Sequence, residues 1–258
     1  DTIYLDEKFK QIEKGKHDYF RVIEKMPAGN YKIRDYFKSG VIQMAGYADQ
    51  PDDQHLTGTV VRYNANGTIS SICEHKTYAN GWITFYDDSF IKAATLRWAR
   101  GEINGVAYFY NEKGKKITKG RYKDSRPYKG LMPAMPALGR RNQHTFIRYN
   151  HGKSTGLTKF YASGRKAMTG VFDNTYYDLA SARYYSENGK LIGTCFYSGN
   201  LPVQGAHVEY YSKTFRAYTP AVVKYIETYV DSSLTERRSF TPERDYLDSC
   251  TFIYVPQL

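Results

Sequence analysis

The residues of this 258-residue chain that could do chemistry are few, and each has a plainer account. Cys73-Glu74-His75 places a thiol and an imidazole two residues apart, on one face if the segment is a strand, as a thiolate–imidazole pair would need. Nothing nearby supplies a group to orient the imidazole, so the expectation is a half-buried strand thiol beside a solvated histidine. Gly152-Lys153-Ser154-Thr155 reads like the tail of a phosphate-binding loop, but such a loop needs an earlier glycine where Ile147 stands to turn its backbone N–H groups toward phosphate. His17, His55, His75, His144, His151 and His207 show no metal-ligand spacing,. Asp52-Asp53 and Asp87-Asp88 are adjacent pairs whose carboxylates would point apart on a strand, so they read as solvated turn residues. No metal, cofactor or nucleotide is expected, and no acid, base and nucleophile converge into a catalytic site.

The one strong asymmetry is basic. Lys113, Lys115, Lys116, Lys119, Arg121, Lys123, Arg126 and Lys129 fall within residues 113–129, against Asp124 alone. A period of two puts Lys115, Lys119, Arg121 and Lys123 on one face. Lys113, Lys115, Lys119, Arg121, Lys123, Arg126 and Lys129 are therefore the candidate anion-binding residues, with Arg140 and Arg141 as possible additions. The competing account is a solubilising face that discourages sheet association.

These residues sit within a repeat. "VRYNANGTISSICEH", "YFYNEKGKKITKGRY", "KFYASGRKAMTGVF" and "RYYSENGKLIGTCFY" each run from an aromatic pair through a polar stretch ending in Gly into a strand-like segment,. Phe37, Tyr63, Tyr86, Tyr110, Tyr161, Tyr185 and Tyr211 mark a period near 24, with one double step. A second turn follows each strand, so Gly152 is a hairpin glycine and the nucleotide reading fails. Hairpins this short are marginal alone, and stacked units of this period must pair edge to edge. The expected fold is all-β: repeated antiparallel hairpins in an elongated, open, single-layer-like sheet. The expected division is a cap segment over 1–30, a hairpin array over 31–130, a proline-containing insertion over 131–143, and a second array over 144–258 whose glycine-poor end forms an atypical cap. Residues 7–26 read either as a short helix or as a degenerate first repeat.

Composition agrees with wet, half-covered surfaces: 26 Tyr and 13 Phe accompany a mean hydropathy of −0.63,. A net charge of +11 favours anionic partners,. Three separated cysteines, Cys73, Cys195 and Cys250, make neither a disulfide framework nor a zinc pattern, though one pair could form,. No stretch reaches the length of a membrane-spanning helix.

"YYSENGKLIGTCFYSGNLPVQG" and "YFYNEKGKKITKGRYKDSRPYKG" resemble the variant MORN repeat of YwqK-type antitoxin-like bacterial proteins and related envelope proteins, over about residues 31–215. "FYDDSFIKAATLRW" departs from the pattern by lacking the turn glycine. The resemblance implies a scaffolding or binding role in the bacterial cell envelope, with a periplasmic, outer-membrane-associated or secreted location; the start at Asp1 fits removal of a secretory signal and fits trimming of a longer chain equally. Another protein is the favoured partner and an anionic glycan or lipid surface the next, with nucleic acid least favoured. The alternative function is an antitoxin or immunity protein that neutralises a toxin by covering its surface.

Overall fold

The computed structural model describes residues 1–77, 80–134, 144–173, 178–214, 217–240 and 247–250. Every element among them is a β-strand, and the strands form an open antiparallel sheet. Two compact units divide the chain. The first is built from β1 (Thr2–Leu5), β2 (Tyr19–Lys25), β3 (Tyr31–Phe37), β4 (Ile42–Ala48), β5 (Leu56–Tyr63), β6 (Ile69–Thr77), β7 (Asn80–Tyr86), β8 (Lys92–Ala99) and β9 (Glu102–Tyr110), each paired with the next. After β10 (Lys116–Lys123), the second unit continues through β11 (Arg126–Pro133), β12 (Thr145–Asn150), β13 (Lys153–Phe160), β14 (Lys166–Phe172), β15 (Leu179–Tyr185), β16 (Leu191–Ser198), β17 (Leu201–Thr214), β18 (Ala217–Val230), β19 (Ser233–Phe240) and β20 (Leu247–Cys250) in the same meander.

Two kinds of turn alternate, and both follow from local chemistry. In the first, Asn64 N–H donates to the Thr68 carbonyl at 2.8 Å, and Gly67 N–H returns to the Asn64 carbonyl at 2.9 Å. Gly67 has φ +82°. This is a type I turn closed by a left-handed residue, which leaves a bulge in the strand. The same pair of backbone bonds recurs at residues 26–30, 37–41, 87–91, 111–115, 161–165 and 186–190. The register shifts at Asp35/Tyr36, Arg62/Tyr63, Phe85/Tyr86, Lys159/Phe160 and Tyr184/Tyr185. In β5, β7, β13 and β15 the bulge falls just before the aromatic that ends the strand, and in β3 it falls before Tyr36, one residue short of the end. The second kind is a two-residue turn with both residues at positive φ, as at His151 (49°) and Gly152 (81°), matching the right-handed twist of the flanking strands.

Several expectations are revised. Residues 7–26 hold β2 and no described helix, which favours the degenerate repeat. Leu131–Pro133 of the presumed insertion complete β11, Pro133 pairing with Phe146 as its last residue; proline is tolerated where a strand ends. Residues 135–143 lie outside the described residues. The glycine-poor tail still makes a hairpin, because Asp231 (φ 47°) and Ser232 (φ 67°) close β18 onto β19 without glycine. Short polar side chains carry the left-handed conformation at modest cost.

In the first unit Ile33, Met44, Ala48, Leu56, Val60 and Cys73 form a buried cluster. In the second, Met168, Ala182, Tyr184, Cys195, Tyr197 and Val208 do so, with Leu157, Leu179, Ile192, Tyr210, Val223 and Ile226 packed against them.

Candidate functional site

Strands β5 to β8 bring three cross-strand rows onto one face of the first unit. Arg62, Ser71 and Phe85 make the first row, Val60, Cys73 and Ile83 the second, and His75, Gly81 and Trp98 the third. Small side chains in the middle of large ones leave a cavity of about 270 Å³, lined by Val60, Arg62, Ser71, Cys73, His75, Ile83, Phe85 and Trp98. Gly81 is required there. A Cβ at that position would lie 2.1 Å from the Glu74 carbonyl oxygen and 2.7 Å from Trp98 Nε1, so the indole rests directly on the backbone.

Cys73 and His75 thus share a face, as their spacing requires, but neither is set for nucleophilic work. Burial pushes the Cys73 thiol up to about 11, with Arg62 opposing that shift from a distance; a thiol at that value is protonated at neutral pH. His75 is not the solvated residue expected, since its ring meets Trp98 edge-on with centroids 5.0 Å apart. The two lie in a shaped, mostly apolar recess.

Beside it stands a buried ion pair. Arg21 and Asp35 face each other across β2 and β3, with Nε to Oδ1 at 2.7 Å and an Nη to Oδ2 at 2.9 Å. Asp53 adds a third member at 3.1 Å. Burial works against the Arg21 charge, but the hydrogen bonds to Asp35 and Asp53 outweigh it and raise the pKa. Burial likewise opposes ionisation of Asp53, and Arg21 more than offsets it, holding that carboxyl below its ordinary value. The aspartate pairs are thus more than solvated turn residues. Asp52 accepts from the Gln54 and His55 amides, and Asp87, 4 % exposed, accepts from those of Ser89 and Ile91.

The second unit carries a polar network that the sequence reading did not find. The Tyr184 and Tyr197 hydroxyls bond to each other, and His207 Nδ1 lies 3.1 Å from the first and 2.8 Å from the second. Directly across from His207, buried Glu227 accepts from Tyr229 Oη at 3.0 Å and from Arg237 Nε at 2.8 Å. Burial lowers the His207 pKa, against the fields of Glu227 and Glu209, so its imidazole is neutral near pH 7. Desolvation also lowers the Lys159 pKa and raises those of Tyr184 and Tyr197. Buried polar groups that satisfy one another specify a unique interior. The one clue in the sequence is symmetry about the turn: partners in a hairpin lie at equal distances from its tip, which puts Ala182 opposite Cys195 and Tyr184 opposite Gly193.

The candidate anion-binding residues have mixed positions. Along β10, Lys119, Arg121 and Lys123 are exposed while Gly120 and Tyr122 between them are buried, as alternation requires. Lys113 and Lys115 instead belong to the turn before the strand, where their amides donate to Asn111 Oδ1. Arg126 and Lys129 are exposed on β11. Lys119, Arg121 and Lys129 belong to the second unit, and Lys123 and Arg126 to the first. Arg140 and Arg141 lie outside the described residues. Lys153 is the exposed first residue of β13, just past the turn. Cys73 and Cys195 are free thiols.

No known family model matches the chain. A search of curated proteins likewise finds no match.

Proposed function

We propose that this is a non-enzymatic binding protein of the bacterial cell envelope, a scaffold of variant MORN-like hairpins that holds another protein on a face of its second unit. The observation that carries the reading is an exposed apolar row. Val171, Ser181, Phe196 and Gln204 are successive cross-strand partners. Val171 is 51 % exposed and Phe196 52 %. Leu201, 70 % exposed, pairs with Ser198, two residues along β16 from Phe196 and so on the same face,. Large apolar side chains left uncovered together favour a partner surface. The protonated Cys73 thiol and the neutral, enclosed His207 support a role in binding over catalysis.

The test is photo-crosslinking in an envelope fraction, comparing the wild type with a Val171→Ser, Phe196→Ser, Leu201→Ser variant of unchanged melting temperature. A protein captured by the wild type and lost from the variant is expected. Equal capture by both, or no capture above an unrelated β-protein, defeats the proposal.

A further inference from the structure

The cavity on β5 to β8 has its own chemistry, independent of the exposed row. Its walls are apolar and aromatic, from Val60, Ile83, Phe85 and Trp98, and its cation is Arg62. Among the described residues the Arg62 guanidinium has neither an ion pair nor a hydrogen bond. Asp53, whose pKa Arg62 lowers from a distance, has its carboxylate directly on Arg21 at 3.1 Å instead. The four charges of Arg21, Arg62, Asp35 and Asp53 balance, but the donors of Arg62 are unused. A guanidinium offers a planar fork matched to a carboxylate, and charge-assisted bonds of this kind are about twice as strong as neutral ones.

We propose that this cavity binds an aromatic monocarboxylate, with the ring between Phe85 and Trp98 and the carboxylate on Arg62. Three features select that class. The volume of about 270 Å³ lies at the lower limit for ligand sites, which suits a single ring with a short acidic arm. One cation against mostly apolar walls suits a monoanion and leaves a phosphate dianion undercompensated. Ser71 adds a polar group to the lining of the recess beside Arg62. The site recognises its ligand without reacting with it, because the neighbouring thiol stays protonated.

Phenylacetate is the probe, with phenylacetamide as its uncharged counterpart, and binding is read by calorimetry and by quenching of tryptophan emission. Saturable binding of phenylacetate, about tenfold or more tighter than the amide, is expected from one charge-assisted interaction. Arg62 is an exposed strand residue, so Arg62→Gln leaves the fold intact, checked by its melting curve, and removes the preference for the acid. Absence of saturable phenylacetate binding at millimolar concentration overturns the proposal. So does equal affinity for acid and amide, or an unchanged preference in Arg62→Gln.

Discussion

The two units share one strand-and-turn plan and fill it differently. In the first, the inward rows are mainly aliphatic and small, with the buried ion pair Arg21–Asp35 and a recess left between Ser71, Cys73 and Gly81. In the second, tyrosines occupy the equivalent space and direct their hydroxyls into it: Tyr161 donates to the Tyr185 carbonyl at 2.6 Å, Tyr210 to that of Ala167 at 2.7 Å, and Tyr184 and Tyr197 share His207. The difference teaches that the repeat specifies turns and strand ends and leaves the interior chemistry open. Among aliphatic rows the buried Arg21 depends on a carboxylate partner, whereas tyrosines bring both the bulk and the polar groups that satisfy one another,.

The largest effect should separate the units. Asp35→Ala strips Arg21 of its bidentate partner; breaking a buried pair costs about 3–5 kcal/mol, and the lower end is expected because Asp53 still faces the guanidinium. Trp82 and Trp98 are the two tryptophans of the chain, and both lie in the first unit. Their emission in urea should show the loss in full, while amide hydrogen exchange in β13 to β17, followed at the same urea concentrations, reports the second unit,. Equal displacement of both signals would mean that the units unfold together and that the contrast has no energetic meaning.

A smaller effect compares the turns. Gly189, at φ +89°, and Phe90, at φ +57°, occupy the same place in equivalent turns. Gly189→Val should cost about 1–2 kcal/mol, since a β-branched residue resists the left-handed region. Phe90→Gly relieves that strain but removes a ring stacked on Tyr86 at 4.5 Å, so the two effects should cancel to within about 0.5 kcal/mol. A melting curve unmoved by Gly189→Val would undo the turn assignment.

The smallest concerns pH and the second unit alone. With its folded pKa below the ordinary 6.5, His207 binds fewer protons in the native than in the unfolded state between those two values. Stability should therefore hold above pH about 6.5 and decline as pH falls from there toward the folded value. Replacing His207 by Gln should flatten that decline, read from urea unfolding between pH 7 and 5.5. An identical slope in wild type and variant would remove His207 as its source.

What the sequence made legible follows from where its constraints are local. Turn glycines and strand-ending aromatics act over a few residues, so the hairpins, the positive φ of Gly189 and the role of Gly152 could be read directly. Phe90 hid its turn because the left-handed position is usually glycine; Asp87, capping two amides with one oxygen, is the signal that remains. The interior was not legible, because Arg21 meets Asp35, and Tyr197 meets His207, only through register. Each bulge changes which residues face inward, so a face counted by alternation fails after the first one. The basic run shows the same limit: alternation holds within β10 and stops at the turn that contains Lys113 and Lys115.

The bulge that recurs near strand-ending aromatics also bears on how such a chain tolerates change. Because the hairpins that carry a bulge absorb their own extra residue, alignment is restored locally at those turns and errors do not accumulate along the meander. A length change inside one hairpin is contained there, and whole hairpins can be duplicated or lost while their neighbours keep their pairing. The bulge acts as a punctuation mark that keeps each phrase readable whatever happens to the one before it.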